Sequence, residues 1–363
     1  MLAAGGTGGH LFPAFALAQE LGRRSIEVDL ITDMRGDRYG TTFPGRAIHR
    51  VPSATVSGRS IVGAGRAAWT LTRGIGASLK LMRRIKPGAV IGFGGYPAFP
   101  PLVAARLRNI PTALHEQNAV LGRANRALAK YVTAIATSFE NTKYLEGTAR
   151  NKARFTGNPV RDQVVSAVQA YDPPQAGGPF NLLVFGGSQG ARYFADAVPP
   201  AVQLLPEAIR ASLFIVQQCR EEDLARVEQA YQAANVRAHL ATFFTNLPDE
   251  MAKAHLVIAR SGASTVSELA VMGRPAILVP LPHAIDNDQL QNARRLAEAG
   301  GAWCMEQKTL TPEVLSETIG RLFAAPEMLM QAAAAAKAQG RPDAVSRLAD
   351  LVQELIGRQA GSA

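Results

Sequence analysis

A strand, a glycine-rich loop and a helix follow one another twice in this chain, and this repeat constrains its fold more than any other feature. The first copy reads LAA-GGTGG-HLFPAFALAQEL from residue 2, and the second reads NLLVF-GGSQG-ARYFADAV from residue 181. A strand that passes through glycines into a helix is typical of doubly wound parallel sheets. The repeat therefore predicts two related α/β units.

The rest of the sequence supports this prediction, because apolar strand-like runs alternate with amphipathic helical patterns. Strand-like runs occur at 26–32 and 256–258, for example, and a helical pattern occurs at 290–299. Such alternation predicts parallel sheets with helices on both faces. A length of 363 residues favours two domains. A segment rich in proline and glycine, 172–179, interrupts the pattern, so we place the domain boundary near 161–180.

Composition bounds the class of protein. Hydrophobic residues make up 47% and charged residues 19%, a balance that excludes disorder and coiled coil as the main state. Two cysteines, Cys219 and Cys304, are too few for a disulfide scaffold and suit a reducing cytoplasm. The N-terminus shows no signal-peptide pattern. The longest uncharged stretch, between Lys86 and Arg106, has eight glycines and prolines in 19 residues, so we expect no membrane-spanning helix.

Positive charge is concentrated in the first half of the chain. Residues 1–160 carry 22 Lys and Arg against 8 Asp and Glu, whereas residues 161–363 carry 17 against 21. Twelve basic residues and no acidic residue lie between Arg38 and His115. This asymmetry predicts an anionic partner for the first half: nucleic acid, acidic lipid or a phosphorylated substrate. A merely solubilising basic surface is the alternative.

Within this acid-free region, residues 59–86 combine basic side chains with apolar ones and a tryptophan. A basic amphipathic helix with a tryptophan is typical of segments that lie among lipid headgroups. The alternative is an ordinary helix whose apolar stripe faces the core. The residues that we expect to contact an anionic membrane surface are Arg66, Trp69, Arg73, Ile75 and Lys80.

Four loops rich in glycine or serine are predicted at strand ends. They are 5–9 (GGTGG), 92–96 (GFGGY), 186–190 (GGSQG) and 261–265 (SGAST). Glycine allows close backbone approach, and a following helix offers free N–H groups to phosphate. None of the loops has the Lys-Ser/Thr of a P-loop or matches the dinucleotide fingerprint well. They therefore predict phosphorylated ligands and disfavour nicotinamide.

Six motifs in order identify a family resemblance. They are GGTGGH (5–10), GFGGY (92–96), HEQN (115–118), GNPVR (157–161), GGSQGAR (186–192) and RSGASTVSE (260–268). On these motifs the chain resembles the MurG family of bacterial UDP-N-acetylglucosamine (UDP-GlcNAc) transferases. That family has the GT-B architecture, in which two Rossmann-like, doubly wound parallel-sheet domains face each other across a cleft.

The resemblance implies different roles for the two domains. Residues 1–161 would form an N-terminal acceptor and membrane domain, and residues 162–341 a C-terminal domain that binds UDP-GlcNAc. The last helix, at about 342–363, would pack back on the first domain. The implied protein is peripheral on the cytoplasmic face of the bacterial inner membrane.

The resemblance also implies a reaction in peptidoglycan synthesis. The family transfers GlcNAc, with inversion, to the C4 hydroxyl of N-acetylmuramic acid in an undecaprenyl-linked muramyl-pentapeptide. The implied partners are UDP-GlcNAc, this lipid-linked acceptor and an anionic membrane surface, with no nucleic acid, cofactor or metal. Asp286-Asn287-Asp288 has the form of a metal-binding D-x-D, but we favour helix capping there.

Inversion requires a base near the acceptor hydroxyl and stabilisation of the charge on the UDP leaving group. His10 is the predicted base, because it lies where the first loop becomes a helix and an imidazole titrates near working pH. Its alternative role is to hydrogen-bond substrate or to shape the loop. Glu116 is the second choice, as a base or as an orienting partner.

Further site residues follow from the resemblance. Glu268 would accept hydrogen bonds from the ribose hydroxyls, and the backbone at Phe244 would read the uracil edge. The expected donor-binding residues are Thr7, Gly8, Gly9, Asn118, Arg161, Ser188, Phe244, Ala263, Ser264, Thr265, Val266, Ser267, Glu268 and Gln289. The expected acceptor-binding residues are Gly94, Gly95, Tyr96, His115 and Asn125.

Two other functions remain open on the sequence. One is a different UDP-sugar enzyme of the same fold, such as a diacylglycerol glucosyltransferase or a non-hydrolysing epimerase, which turnover of UDP-glucose would favour. The other is a nucleic-acid-binding protein, suggested by a pI of about 9.9. The basic segment has no recognisable nucleic-acid-reading motif, so we favour the transferase.

Overall fold

A computed structural model describes residues 1–5, 8–33, 43–54, 61–175, 177–186 and 192–360. Two compact units account for the chain. The first unit comprises Met1–Arg161 and Pro342–Ala363, and the second comprises Asp162–Arg341. We call them the first and second domain.

The first domain contains a parallel sheet whose described part has seven strands. The strands are β1 (Leu2–Ala3), β2 (Asp29–Thr32), β3 (Ala47–Arg50), β4 (Val90–Gly92), β5 (Thr112–Glu116), β6 (Ala134–Thr137) and β7 (Ala153–Phe155). Their order is β3-β2-β1-β4-β5-β6-β7, with Leu2 opposite Leu30 on one side and Ile91 on the other. The order reverses between β1 and β4, which is where doubly wound folds place their ligands.

Helices cover both faces of this sheet. They are α1 (Gly8–Arg23), α2 (Ile61–Ile85), α3 (Phe99–Leu107), α4 (Arg123–Leu128), α5 (Gly147–Arg150) and the C-terminal helix (Ala344–Ala360). On one face Leu17 of α1 and Leu348 and Leu355 of the C-terminal helix share a buried cluster with β1. On the other face Met82 of α2 and Leu102 of α3 pack beneath β4 and β5.

The C-terminal helix is joined to the first domain by ion pairs as well as by its apolar face. Arg24 donates to Asp350 at 2.5 Å and to Ser346 Oγ at 2.8 Å. Arg154 pairs with Glu354. Because Leu348 and Leu355 are almost completely buried, this helix is part of the first domain's core.

α2 runs unbroken for 25 residues although it contains several glycines. One of them has a packing reason. A Cβ atom at Gly74 would lie 2.1 Å from the carbonyl oxygen of Pro52, so only glycine allows this approach. Burial of Ala67, Ser78 and Met82 shows which face of α2 meets the core.

The second domain repeats the topology of the first. Its strands are β8 (Phe180–Phe185), β9 (Leu213–Gln218), β10 (Arg237–Ala241), β11 (Leu256–Ala259), β12 (Ala276–Leu278) and β13 (Ala302–Cys304). They are parallel and follow the order β10-β9-β8-β11-β12-β13, so the order again reverses beside the domain's first strand. The predicted fold class, two Rossmann-like parallel-sheet domains, is confirmed.

Nine helices lie in the described part of the second domain. They are α6 (Asp162–Ser166), α7 (Arg192–Gln203), α8 (Glu207–Ser212), α9 (Leu224–Ala233), α10 (Leu247–Lys253), α11 (Ala263–Met272), α12 (Asp288–Glu298), α13 (Pro312–Ala324) and α14 (Pro326–Gln339). The core combines Phe180, Leu256 and Ile258 of the sheet with Phe194 of α7 and Leu315 of α13. Across the described residues of both domains, no helix is both long and apolar enough to span a bilayer.

Candidate active site

The loops after β1, β4 and β5 meet at the carboxyl edge of the first domain's sheet. These three strands are neighbours in the sheet, so the loops that follow them are neighbours as well. His10 is the third residue of α1, the Gly94–Gly95 turn follows β4, and His115 and Glu116 end β5. The fold therefore brings three separate sequence motifs to the point where the strand order reverses.

The ring of His10 lies against the Gly94–Gly95 turn. Both glycines have positive φ, 84° and 69°, which side-chain-bearing residues rarely adopt. A Cβ atom at Gly94 would lie 3.4 Å from His10 Cε1, and one at Gly95 would lie 3.3 Å from His10 Cδ2. Glycine at these two positions therefore provides both the turn and the space for the imidazole.

A chain of hydrogen bonds runs from His10 into the interior. His10 Nδ1 is 3.0 Å from Gln117 Oε1, and Gln117 Nε2 is 2.9 Å from His115 Nδ1. His115 Nε2 is in turn 3.2 Å from the carbonyl oxygen of Gly157. His115 is fully buried, and burial lowers its pKa to about 4. This imidazole is therefore neutral at physiological pH.

The carboxylate of Glu116 is buried and accepts hydrogen bonds on both oxygens. Oε1 accepts from the backbone N–H of Asn118 at 3.0 Å, and Oε2 accepts from the N–H of Gly122 and from Asn125 Nδ2, both at 2.8 Å. Burial raises the pKa of Glu116, and these donors oppose that rise. Glu116 thus ties together the loop that follows β5, a geometry that favours the orienting role over the role of base.

The remaining residues predicted in the first domain lie around this edge. Gly8 and Gly9 open α1, and Tyr96 begins a short 3₁₀ turn, Tyr96–Ala98. The guanidinium of Arg161 lies 5.1 Å from the ring centroid of Phe12 on α1. Asn125 is buried, and within the described residues its Oδ1 has no hydrogen-bond partner. Two predicted residues, Thr7 and Ser188, lie outside the described residues.

The second domain places the SGASTVSE motif at the end of β11 and the start of α11. Gly262 is the N-cap, so no side chain caps the first turn. The first-turn N–H groups of a helix have no intrahelical partner and attract anions. Ala263 and Val266 turn into the core, while Ser264, Thr265 and Ser267 are half-buried. In the described structure, the buried Ser264 Oγ is without a hydrogen-bond partner.

Glu268 lies one turn into α11 and is only 6% exposed. Glu268 is therefore not a solvated surface glutamate. Phe244, in the loop after β10, is also buried and meets His239 edge to face at 5.4 Å between ring centroids.

Hydrogen bonds between loops hold Gln289 at the carboxyl edge of the second domain's sheet, where the SGASTVSE motif also lies. Its Oε1 accepts from the N–H of Leu281 at 3.0 Å, and its carbonyl accepts from Ser261 Oγ at 2.8 Å. Asn292 Nδ2 donates to the carbonyl of Ser261 at 3.1 Å. These bonds hold the start of α12 beside the start of α11.

The D-x-D sequence forms the entry to α12. Asp286 and Asn287 have positive φ, 56° and 54°, and Asp288 Oδ1 accepts from the N–H of Gln289 at 2.7 Å. Among the residues that the structure describes, no three His, Cys, Asp or Glu side chains are grouped so as to hold a metal ion.

Sequence reasoning missed three polar residues that organise these edges. Gln117 links the two histidines, although it was quoted only as part of the HEQN motif. Ser261 and Asn292 join the loop before α11 to α12. Gln117 was open to detection because it lies between two predicted site residues, whereas Asn292 carries no local signal.

The basic segment has two distinct faces on α2. Arg66, Trp69, Arg73 and Lys80 are exposed, and Trp69 is 66% exposed. Ile75 is half-buried and packs against the core cluster that contains Met82. We correct the membrane-contact prediction for Ile75, because its position on the helix places it on the core face.

Comparison with known proteins agrees with these two domains. The glycosyltransferase family 28 N-terminal domain matches residues 1–137, and the family 28 C-terminal domain matches residues 181–348. The crystal structure of Acinetobacter baumannii MurG superposes with a TM-score of 0.80 at 31% identity, covering 98% of each chain. A UDP-GlcNAc 2-epimerase from Neisseria meningitidis, bound to UDP-GlcNAc, has a TM-score of 0.68 at 14% identity, covering 97% of this chain and 99% of its own. At that identity only the fold is shared.

Curated relatives match over nearly the whole chain. A protein of Rhizobium rhizogenes is 51% identical and covers 99% of this chain and 96% of its own length. A protein of Methylobacterium nodulans is 54% identical, with 98% and 96% covered. Both are named UDP-N-acetylglucosamine--N-acetylmuramyl-(pentapeptide) pyrophosphoryl-undecaprenol N-acetylglucosamine transferase. With this identity along its full length, the chain belongs to the MurG family of glycosyltransferases.

Proposed function

We propose that the protein transfers GlcNAc from UDP-GlcNAc to the C4 hydroxyl of N-acetylmuramic acid in undecaprenyl-pyrophosphate-linked muramyl-pentapeptide. This step converts lipid I into lipid II in peptidoglycan synthesis. The observation that carries the proposal is the full-length identity of about half to relatives named for this reaction. The geometry around His10 supplies a chemical route for it.

In this proposal the acceptor hydroxyl attacks the anomeric carbon of GlcNAc from the face opposite UDP. The O–H proton passes to Nε2 of His10, and the electron pair of the breaking C1–O bond leaves with UDP. The anomeric configuration is inverted in a single displacement. General-base assistance of this kind contributes about 10²–10⁴-fold in rate.

Glu116 acts in this scheme through its neighbours. Its carboxylate holds the backbone of Asn118 and Gly122 and the side chain of Asn125. Asn118 and Asn125 can then present amide groups to the two sugars. We propose Gly94, Gly95, Tyr96 and His115 as the other residues of the acceptor side.

The donor is proposed to bind at the start of α11. The uncapped first turn would meet the pyrophosphate, through N–H groups of Ala263, Ser264 and Thr265. Buried Glu268 would accept from the ribose hydroxyls, which suits a carboxylate that burial keeps from solvent. The backbone at Phe244 would read the uracil edge, and Gln289 would contribute from α12. The other proposed donor contacts are Thr7, Gly8, Gly9, Asn118, Arg161, Ser188, Val266 and Ser267.

We also propose that the exposed face of α2 contacts anionic lipid at the cytoplasmic side of the inner membrane, as a peripheral attachment. Arg66, Trp69, Arg73 and Lys80 recur at intervals that place them on one side of a helix. Basic residues near an anionic surface contribute about 1 kcal/mol each. This would bring the first domain to its lipid-linked substrate.

The deciding experiment is transfer of radiolabelled GlcNAc from UDP-GlcNAc to a short-chain analogue of lipid I. We expect a disaccharide-lipid product with the intact protein and none when the acceptor is omitted. Absence of product would contradict the proposal. Conversion of UDP-GlcNAc without any acceptor would instead favour the epimerase, and transfer from UDP-glucose a lipid glucosyltransferase.

A further inference from the structure

We propose that Gln117 is a positioning residue that holds the His10 imidazole with a proton on Nδ1, so that Nε2 is the basic nitrogen. This inference deepens the proposed function and rests on it, since it concerns how His10 becomes the base. It follows from the direction of the hydrogen bonds between His10, Gln117 and His115.

A backbone carbonyl fixes the orientation of the Gln117 amide. Gln117 Nε2 lies 3.0 Å from the carbonyl oxygen of His115, inside the protein. A carbonyl oxygen can only accept, so the atom facing it must be the NH₂ group. The reversed amide would place two oxygens against each other in a buried site, where unsatisfied polar atoms are costly.

The second N–H of the same amide faces His115 Nδ1 at 2.9 Å, so Nδ1 is the acceptor. The proton of neutral His115 is then on Nε2, where it is donated to the carbonyl of Gly157 at 3.2 Å. A second backbone carbonyl thus confirms the same direction. Because the pKa of buried His115 is lowered to about 4, the imidazole stays neutral and remains an acceptor on Nδ1.

At the other end, Gln117 presents its amide oxygen to His10. Oε1 is 3.0 Å from His10 Nδ1 and can only accept, so Nδ1 carries a proton. In the neutral ring the lone pair is therefore on Nε2. When Nε2 takes up a proton, Nδ1–H continues to donate to the same oxygen, so this hydrogen bond does not have to rearrange during the transfer.

The two histidines are consequently held as opposite tautomers, Nδ1–H in His10 and Nε2–H in His115. Gln117 is suited to this task because an amide has a donor end and an acceptor end. It is also 1% exposed, so water does not compete for its hydrogen bonds. The oxygens of neighbouring Glu116 are engaged by Asn118, Gly122 and Asn125.

The test is ¹⁵N NMR of the full chain with labelled histidine at neutral pH, with signals assigned through His10→Gln and His115→Gln. The chain has six histidines, so the spectrum is simple enough to assign. We expect Nδ1–H in His10 and Nε2–H in His115. Finding Nε2–H in His10 of the unmodified protein would overturn the inference without use of any variant.

Two variants separate positioning from mere packing. Gln117→Leu removes both ends of the amide, and we expect mixed tautomers in His10 and a kcat lowered by about 10–100-fold, less than the 10²–10⁴-fold that base catalysis supplies, because part of the His10 population keeps a basic Nε2. Gln117→Glu keeps an accepting oxygen for His10 but no donor for His115. It should restore the Nδ1–H tautomer of His10 and much of kcat, while the tautomer of His115 changes.

A matched control is Gln217→Leu, which removes a glutamine buried in the second domain, where its Oε1 accepts from Tyr231. It should leave the tautomer of His10 unchanged. Equal loss of kcat in Gln117→Leu and Gln117→Glu, with His10 still Nδ1–H in both, would overturn the positioning role. If the tautomers are as expected but His10→Ala keeps its activity, the proposed base fails while the assignment of Gln117 stands.

Discussion

The carboxyl edges of the two sheets have the same topology but are built from different chemical groups. In the first domain, side chains hold one another in a buried network, from His10 through Gln117 to His115. In the second domain, the start of α11 offers uncapped backbone N–H groups and one buried carboxylate, Glu268. The proposed base needs a fixed protonation state, whereas the proposed donor site needs fixed N–H donors for the charge of a nucleoside diphosphate.

The largest effect is expected from removal of the His10 imidazole. We expect His10→Ala to lower kcat by about 10²–10⁴-fold, because it removes the proposed base. Binding of UDP-GlcNAc, measured by calorimetry, should change little, because the donor is assigned mainly to the second domain. Retention of most activity would assign the base elsewhere.

A substitution at the proposed donor site of the second domain should change the affinity for UDP-GlcNAc rather than kcat. Replacing Glu268 by Gln weakens charge-assisted hydrogen bonds to the ribose, each worth about 1.5–3 kcal/mol. We expect the KM for UDP-GlcNAc to rise by about 10–100-fold and kcat at saturating donor to change much less. Glu298→Gln, an exposed glutamate of α12, is the control and should match the unmodified protein. A loss confined to kcat would contradict the donor role.

Burial of His115 predicts a pH dependence of stability in the first domain. Its folded pKa of about 4 lies below the ordinary value of 6.5, so between these values the unfolded state binds more protons. The stabilisation is fully present above about pH 6.5 and is lost as the pH falls towards 4, by about 3 kcal/mol in total.

Hydrogen exchange at the amides of β5, corrected for intrinsic rates, would measure this loss. His115→Gln should lower the protection at neutral pH and flatten its dependence between pH 6.5 and 4. An unchanged slope in that variant would show that His115 is not the group responsible.

The smallest expected effect concerns α2 and the charge asymmetry of the two domains. The chain has two tryptophans, so a Trp303→Phe background leaves Trp69 as a specific reporter of the exposed face. We expect its emission to shift to the blue with vesicles containing anionic lipid and not with neutral ones. Arg73→Gln should weaken binding by about fivefold, or about 1 kcal/mol. Arg237→Gln, which changes an exposed residue of the second domain, should not weaken binding. Equal effects of the two substitutions would contradict the proposal that α2 contacts the membrane.

Much of the fold was predictable from the sequence, because glycine loops and apolar periodicity are local signals. The resemblance assigned His10, Gly94 and Glu116 to the acceptor side, and the structure groups them because β1, β4 and β5 are neighbouring parallel strands that end at one edge. The place of Gln117 in the HEQN motif could have marked it as a site residue, but its hydrogen bonds were not predictable, since they depend on a side chain after β5 reaching His10 on α1 as well as His115. The membrane-contact prediction for Ile75 was wrong because it considered only the apolar character of the residue and not its position around the helix. Ile75 lies seven residues before buried Met82 and therefore on the same face.

The C-terminal helix has a consequence for how the molecule is made. The chain leaves the first domain at Arg161, forms the whole second domain and returns at Pro342. Leu348 and Leu355 then fill the apolar layer over β1 and α1. During synthesis the second domain can fold first as a unit, while the core of the first domain stays open until the C-terminal helix has emerged. The first domain in sequence is therefore the last to be completed.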